Sequence, residues 1–350
     1  MIHIVYPHLN KTSTPNVIGF KLIKYLSTLS EVRAYNWDSF STIIPKNGDI
    51  LIGHVSPAPF TIMRRALKQA GWHKKIILQP FNEDIKQIGF LDEFIDECDV
   101  YLAITGKYWF ERVEKSPFSK WLPKMIHLDL AVDPNHFPFI KNKFNAIGSR
   151  KFVYIGNDYH YKNLDYLEKI FEEVPNIEIH TIGKVKSSSK FINHGFLDFN
   201  KQENKVLLTN FDFMITVGSA DANPTTILES MSWGLIPICT PTSGYHNVPG
   251  IVNVPLNNLK SSVEIIKSLN EMPIDKLLSL QTHGRKMLEK NYSWENFFKV
   301  VKTQIENVDT LKSDLLIDSP TKVSIKKDFR QLTEFFIKAV LINIRRALLG

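Results

Sequence analysis

Two rhythms of apolar and polar positions run through this chain. Short apolar runs, MIHIVYP, DILIGHV and KKIILQP, read as strands. Between them NVIGFKLIKYLSTL and APFTIMRRALKQAG place apolar residues at the spacing of a helix with one buried face. LDEFIDECDVYLAI closes the series, its acids spaced as on a helix face. The rhythm restarts near Lys151. KFVYIGN reads as a strand, LDYLEKIFEEV as a helix, IEIHTIG and FDFMITVG as strands, TTILESMSWG as a helix and PICT as a short strand. Strands alternating with helices predict parallel sheets covered on both faces. VDPNHFPFIKNKFNAIGSR, with its prolines and polar residues, reads as the linker between the two series. The expected fold class is therefore α/β, with two Rossmann-like, doubly wound domains facing across a cleft. Ligands of such sheets sit at the carboxyl ends of the strands, and the cleft is the default site.

The stretch DANPTTILE, Asp221 to Glu229, lies between two apolar runs. Asn223 is expected to cap a helix and Pro224 to be its first residue, because proline lacks an N–H that would be unpaired there. Thr225 and Thr226 then form the first turn, whose free N–H groups make an anion site. Asp221 is expected at the strand end, pointing into the cleft, with Glu229 reaching the same pocket from the helix.

An acid, seven residues and a glutamate, followed by SMSWGLIPICTPTSG, resemble the E-x7-E region of the retaining GT-B glycosyltransferases that use nucleotide sugars (glycosyl transferases group 1). FVYIGNDYHYKN is similar to that family's GR…KN strand and loop, LAVDPNHFPF to its approach to the linker, and NYSWENFFKVV to the segment before its crossover helix. The likeness is clearest over 126–308. It implies domains at 1–140 and 150–292, a crossover helix at 293–308 and a basic amphipathic tail at 309–350. It also implies roles: Lys162 on the donor pyrophosphate, Glu229 on ribose hydroxyls, Asp221 in place of the glutamate that contacts the donor sugar, and backbone N–H groups around Thr225 and Thr226 on the distal phosphate. Gly156, Asn157 and Asn223 fall among the implied donor-binding positions. His54, after DILIG, stands where the family has a histidine facing the transferred sugar.

The sequence departs from that pattern in three places. Asn157 replaces an arginine, which removes a fixed charge from the pyrophosphate site. Asp221 is one methylene shorter than glutamate. The first loop, PHLNKTSTPN, lacks paired glycines. The resemblance implies hexosyl transfer with retention from a nucleotide-diphospho-sugar to a glycan or lipid-linked acceptor, in cell-surface polysaccharide or lipopolysaccharide synthesis. No cofactor beyond the donor is implied. The absence of an Asp-x-Asp pair in a cleft-like context leads to the expectation of no metal. A GT-B sugar-nucleotide epimerase and a non-catalytic GT-B scaffold remain the alternatives.

Length and composition add bounds. The 350 residues suit two domains, and 43% apolar with 23% charged residues is ordinary for a globular protein. Cys98 and Cys239 show neither disulfide nor zinc spacing, which favours a reducing compartment. No signal peptide or spanning segment is read, so a cytoplasmic location is expected. The net charge of +7 is concentrated near the end, where 321–350 carries seven Lys and Arg against two acids. Residues 328–349 read as one amphipathic helix, with Phe329, Leu332, Phe336, Val340, Ile344 and Leu348 on its apolar face. Two readings stand: packing on the first domain, or lying on an anionic membrane at its inner face. Nothing aromatic and basic is interleaved as in an RNA-binding motif, so no nucleic-acid partner is expected.

Overall fold

Runs of buried residues become the inner strands of both sheets. The first sheet takes β1 (Ile2–Val5), β2 (Val32–Tyr35), β3 (Ile50–Gly53), β4 (Lys74–Pro80), β5 (Val100–Ile104) and β6 (Met125–Leu128), all parallel, in the order β2-β1-β3-β4-β5-β6. The second takes β7 (Phe152–Asn157), β8 (Ile179–Lys184), β9 (Phe191–Asn193), β10 (Phe213–Thr216), β11 (Ile236–Cys239) and β12 (Val252–Asn253), also parallel, in the order β12-β11-β10-β7-β8-β9. This computed structural model describes residues 1–306 apart from 9–12, 40, 59 and 187. The basic tail and its amphipathic helix lie outside the described residues.

The helices are α1 (Thr14–Leu26), α2 (Ile62–Leu67), α3 (Lys107–Arg112), α4 (Leu164–Glu172), α5 (Gln202–Leu208), α6 (Thr225–Trp233), α7 (Leu259–Asn270), α8 (Ile274–Asn291) and α9 (Trp294–Glu306). Two four-residue helical turns, Ile85–Ile88 and Asp92–Ile95, precede β5. The expected helix over APFTIMRRALKQAG is thus short. Thr61 stands just before it with no side-chain bond to the helix, and Gly71, at φ +94°, adopts the left-handed turn that lets the chain enter β4.

Each sheet is buried on both faces, as a parallel sheet with crossover helices must be. Along β5, Tyr101 and Ala103 enter one apolar cluster while Leu102 and Ile104 enter another. Along β7, Phe152 and Tyr154 separate in the same way from Val153 and Ile155. This is the two-residue period of a strand. Residues 133–151 connect the sheets without helix or strand. The chain then returns: α9 places Phe297, Phe298 and Val301 in the cluster that also holds Ile2, Ile18 and Leu22 of the first half.

In each sheet the strand order reverses once, between β1 and β3 and between β7 and β10. Loops leaving adjacent strands in opposite directions open a crevice at such a point. The loop after β5 meets the loops after β10 and β11, because Gly106 N–H donates to the Ala222 carbonyl at 2.7 Å. The carboxyl ends of the two sheets therefore face each other.

Candidate functional site

The loop after β7 runs through a tight turn, His160–Lys162, to Asn163, which has left-handed backbone angles of 57° and 45°. Asparagine tolerates that conformation better than most residues. Its carboxamide donates to the Val217 carbonyl at 3.3 Å, and Ser219 N–H donates to the Tyr161 carbonyl at 2.8 Å. These bonds tie the loops after β7 and β10 together at the second sheet's crevice. On that frame the Lys162 ammonium pairs directly with the Asp221 carboxylate, their side chains 16% and 17% exposed. Lys162 also lies 5.3 Å from the Tyr161 ring centre. Burial first, then the Asp221 charge, pushes the Tyr161 hydroxyl up to about 12.

Two expectations about this stretch are corrected. β10 ends at Thr216, so Asp221 sits in the following loop, not at the strand end, and its carboxylate turns to Lys162. The cap of α6 is Pro224, whose extended ψ of 121° delays the helix to Thr225. Asn223 is not the cap. Its carboxamide oxygen accepts from the buried Tyr245 hydroxyl, and a buried phenol without an acceptor costs more than an unmade cap. The Asn223 Nδ2 group has no partner among the described residues.

The start of α6 carries N–H groups that the helix itself cannot satisfy, with Thr225 and Thr226 in its first turn. The Thr225 hydroxyl reaches both ways. It lies 3.4 Å from the Thr14 hydroxyl of the first half, and it hydrogen-bonds the Glu229 carboxyl one turn on. Burial pushes that carboxyl up to about 7, against the opposing effect of the Thr225 bond. Glu229 thus sits near the midpoint of its titration at neutral pH.

Gly156 and Asn157 close β7. A Cβ on Gly183, the register partner of Gly156, would stand 1.8 Å from the Gly156 carbonyl oxygen, so the two strand ends approach too closely for a side chain there. The Asn157 side chain is engaged locally, accepting from Tyr159 N–H at 3.3 Å. Lys184 stands in register with Asn157 on β8 and is exposed, which puts a cation one strand away from the position where the resemblance implies an arginine.

His54 follows β3 at the first sheet's crevice. Its ring packs edge-on against Tyr6 and Trp37. Nδ1 lies 2.8 Å from the Val55 carbonyl, which can only accept, so Nδ1 carries the hydrogen and Nε2 the lone pair. Burial lowers the imidazole to about 4 and keeps it neutral. All described contacts of His54 are within the first half. The structure therefore pairs Lys162 with Asp221 and Thr225 with Glu229, the second pair following the first along one loop and helix, whereas His54 stays among residues of the first half.

Sequence reading missed the first-half residues that bring the halves together. Trp109 donates its indole N–H to the Asp221 carbonyl at 2.7 Å, next to the Gly106 contact. Tyr108 meets the exposed His246 edge-on at 6.0 Å between ring centres. The available signal was the glycine of TGKYW directly after a strand, a mark of close backbone approach. Among the described residues no group of three or more His, Cys, Asp or Glu converges to hold a metal.

No protein-family model matches this chain, and no curated protein matches it in sequence. Solved structures do match in shape. A lipopolysaccharide outer core galactosyltransferase, WaaB, aligns at 14% identity and TM-score 0.64 over 87% of this chain and 98% of its own. A glycosyltransferase from Rickettsia africae aligns at 13% identity and TM-score 0.62 over 89% and 99%. HepE from Anabaena, in complex with UDP and glucose, aligns at 8% identity and TM-score 0.58 over 87% and 98%. The fold is that of the GT-B glycosyltransferases.

Proposed function

We propose that this protein is a glycosyltransferase that moves a hexose from a nucleotide-diphospho-sugar to a glycan or lipid-linked acceptor, with retention of configuration and without a metal. The observation that carries the reading is the Lys162–Asp221 pair set beside the start of α6, with Glu229 one turn inside. Departure of a nucleoside diphosphate builds negative charge on its distal phosphate. An ammonium group and a helix N-terminus both oppose that charge. Glu229, when ionised, accepts from ribose hydroxyls, each charge-assisted bond contributing roughly 1.5–3 kcal/mol. Asp221 accepts from hydroxyls of the donor sugar. His54 offers a neutral ring with Nε2 as an acceptor toward the transferred sugar. Retention is assigned to a front-face displacement without a protein nucleophile.

Support for the reaction class comes from the likeness in shape to galactosyl- and glycosyltransferases. Cell-surface glycan assembly is the proposed setting, at the inner face of the membrane, with the charge of 321–350 meeting anionic lipid. No described helix is long and apolar enough to cross a membrane.

The test is a panel of nucleotide sugars scored for thermal stabilisation and for donor hydrolysis with and without chelator. A nucleotide at one hundred times its dissociation constant stabilises a folded protein by about 2.7 kcal/mol. One donor should stabilise and be hydrolysed, equally with chelator, and Lys162→Ala should weaken both. Stabilisation without turnover on any donor would instead mark a binding module, and no response to any nucleotide would end the proposal.

A further inference from the structure

Asp221 is held at three points. Its N–H donates to the Thr242 carbonyl at 3.0 Å, within the second half. Its carboxylate takes Lys162. Its carbonyl accepts the indole N–H of Trp109, from the first half, at 2.7 Å. Next to it the Ala222 carbonyl accepts Gly106 N–H at 2.7 Å and faces the Thr105 hydroxyl at 3.4 Å. The neighbouring Ala220 packs on the apolar cluster that contains Trp109. Trp109 is 4% exposed and an indole can only donate, so its hydrogen bond has one direction and one described acceptor.

We infer that Trp109 is a positioning residue: by fixing the Asp221 carbonyl from across the cleft, it sets the direction of the Asp221 carboxylate and so the place of the Lys162 ammonium. The loop carrying Asp221 contains no helix or strand between Val217 and Pro224, so its peptide planes are fixed only by such contacts. Loss of the indole bond frees the backbone at Asp221 on its first-half side, and with it the Cα–Cβ direction that aims the carboxylate at Lys162. Docking of the two halves thus steadies a pair whose two members both lie in the second half. The consequence for catalysis rests on the glycosyltransferase reading. The geometry of the pair does not.

The test therefore needs no nucleotide. Intact protein is treated with limiting N-hydroxysuccinimidyl acetate, and acetylation of each lysine is followed by peptide mass spectrometry. Trp109→Phe keeps a ring in the cluster and removes the N–H. Benzothienylalanine at position 109 keeps the two-ring shape with sulfur in place of N–H, and serves if the phenylalanine variant folds poorly. Both should acetylate Lys162 several-fold faster than the unaltered protein. The rate at Lys141, buried against Asp212 in the second half, and at exposed Lys24 should not change. Asp221→Asn should expose Lys162 at least as much, and adding Trp109→Phe to it should have no further effect, since the tryptophan acts through Asp221. The inference is overturned if Lys162 stays slow in both position-109 variants, if Asp221→Asn leaves it slow, if the two effects multiply, or if Lys141 accelerates in parallel. Failure of every donor in the nucleotide panel would leave this result standing, and an unchanged Lys162 would leave the donor panel standing.

Discussion

Glu229 is kept partly buried in a form that weakens the fold. Its carboxyl is raised from an ordinary value of 4.5 to about 7 by burial. The folded state then binds a proton more tightly than the unfolded state, so stability is greatest below about pH 4.5 and declines as pH rises to about 7. The decline is on the order of 3 kcal/mol. Glu229→Gln removes the ionisation. It should raise the melting temperature at pH 8, leave it nearly unchanged at pH 4.5, and abolish transfer at either pH. An unchanged melting temperature at pH 8 would show that the carboxyl is solvated. The same titration predicts that donor affinity falls as pH drops from 8 to 6, and that Glu229→Gln flattens this profile. The helix that begins near Thr225 and carries Glu229 one turn on was legible in the sequence, because proline and the helix period mark it. The pairing of Lys162 with Asp221, and the turning of Asn223 to Tyr245, were not. Both depend on which loops the strand order brings together, and strand order leaves no trace in the local pattern.

At the scale of elements, the strand–helix rhythm was legible where a crossover helix joins parallel strands, as α1, α2, α4 and α6 do, whereas the short strands β2, β6, β9 and β12 went unread, and among the described residues no helix separates β2 from β3 or β8 from β9. Helix boundaries were less legible: α6 starts one residue later than the Asn-Pro signal implies, since a tertiary hydrogen bond took the capping side chain. The least legible feature was the contact between loops of different sheets. A Cβ on Gly106 would lie 1.9 Å from the Gly244 carbonyl oxygen and 2.5 Å from its carbon. Both are backbone atoms with no rotamer to change, so the contact must open. Gly106→Ala should cost about 1–3 kcal/mol, as overpacking does. It should also increase the radius of gyration in solution scattering, and cut donor turnover more than Lys107→Ala, its exposed neighbour. An unchanged scattering profile with full turnover would mean that the loops separate without consequence.

The whole molecule is held together by the return of its chain. After α8 the Tyr292 carbonyl accepts Val132 N–H at 3.0 Å, and α9 then crosses to the first half. Phe298 stacks on Tyr25 with ring centres 4.2 Å apart, and the Lys21 ammonium lies 5.3 Å from the Trp294 ring centre. Phe297 is 1% exposed in the cluster shared with α1 and β1. The first half's core is thus completed by residues nearly three hundred positions away, and the second half's core needs none of α9. This asymmetry predicts which half yields first. Phe297→Ala should lose about 3–5 kcal/mol, the cost of emptying a buried aromatic site. That loss should fall on the first half. In calorimetry the variant should show an early transition that the unaltered protein lacks, followed by one at the second half's original temperature. Exchange of amide hydrogens should accelerate in β1, β3 and α1, and stay slow in β7 and β10. Because Asp221 takes one of its anchors from Trp109 of the first half, donor turnover should be lost at the early transition, while the second half is still folded. If both halves instead exchange together in a single transition, α9 joins them into one cooperative unit, and the cleft cannot open by partial unfolding.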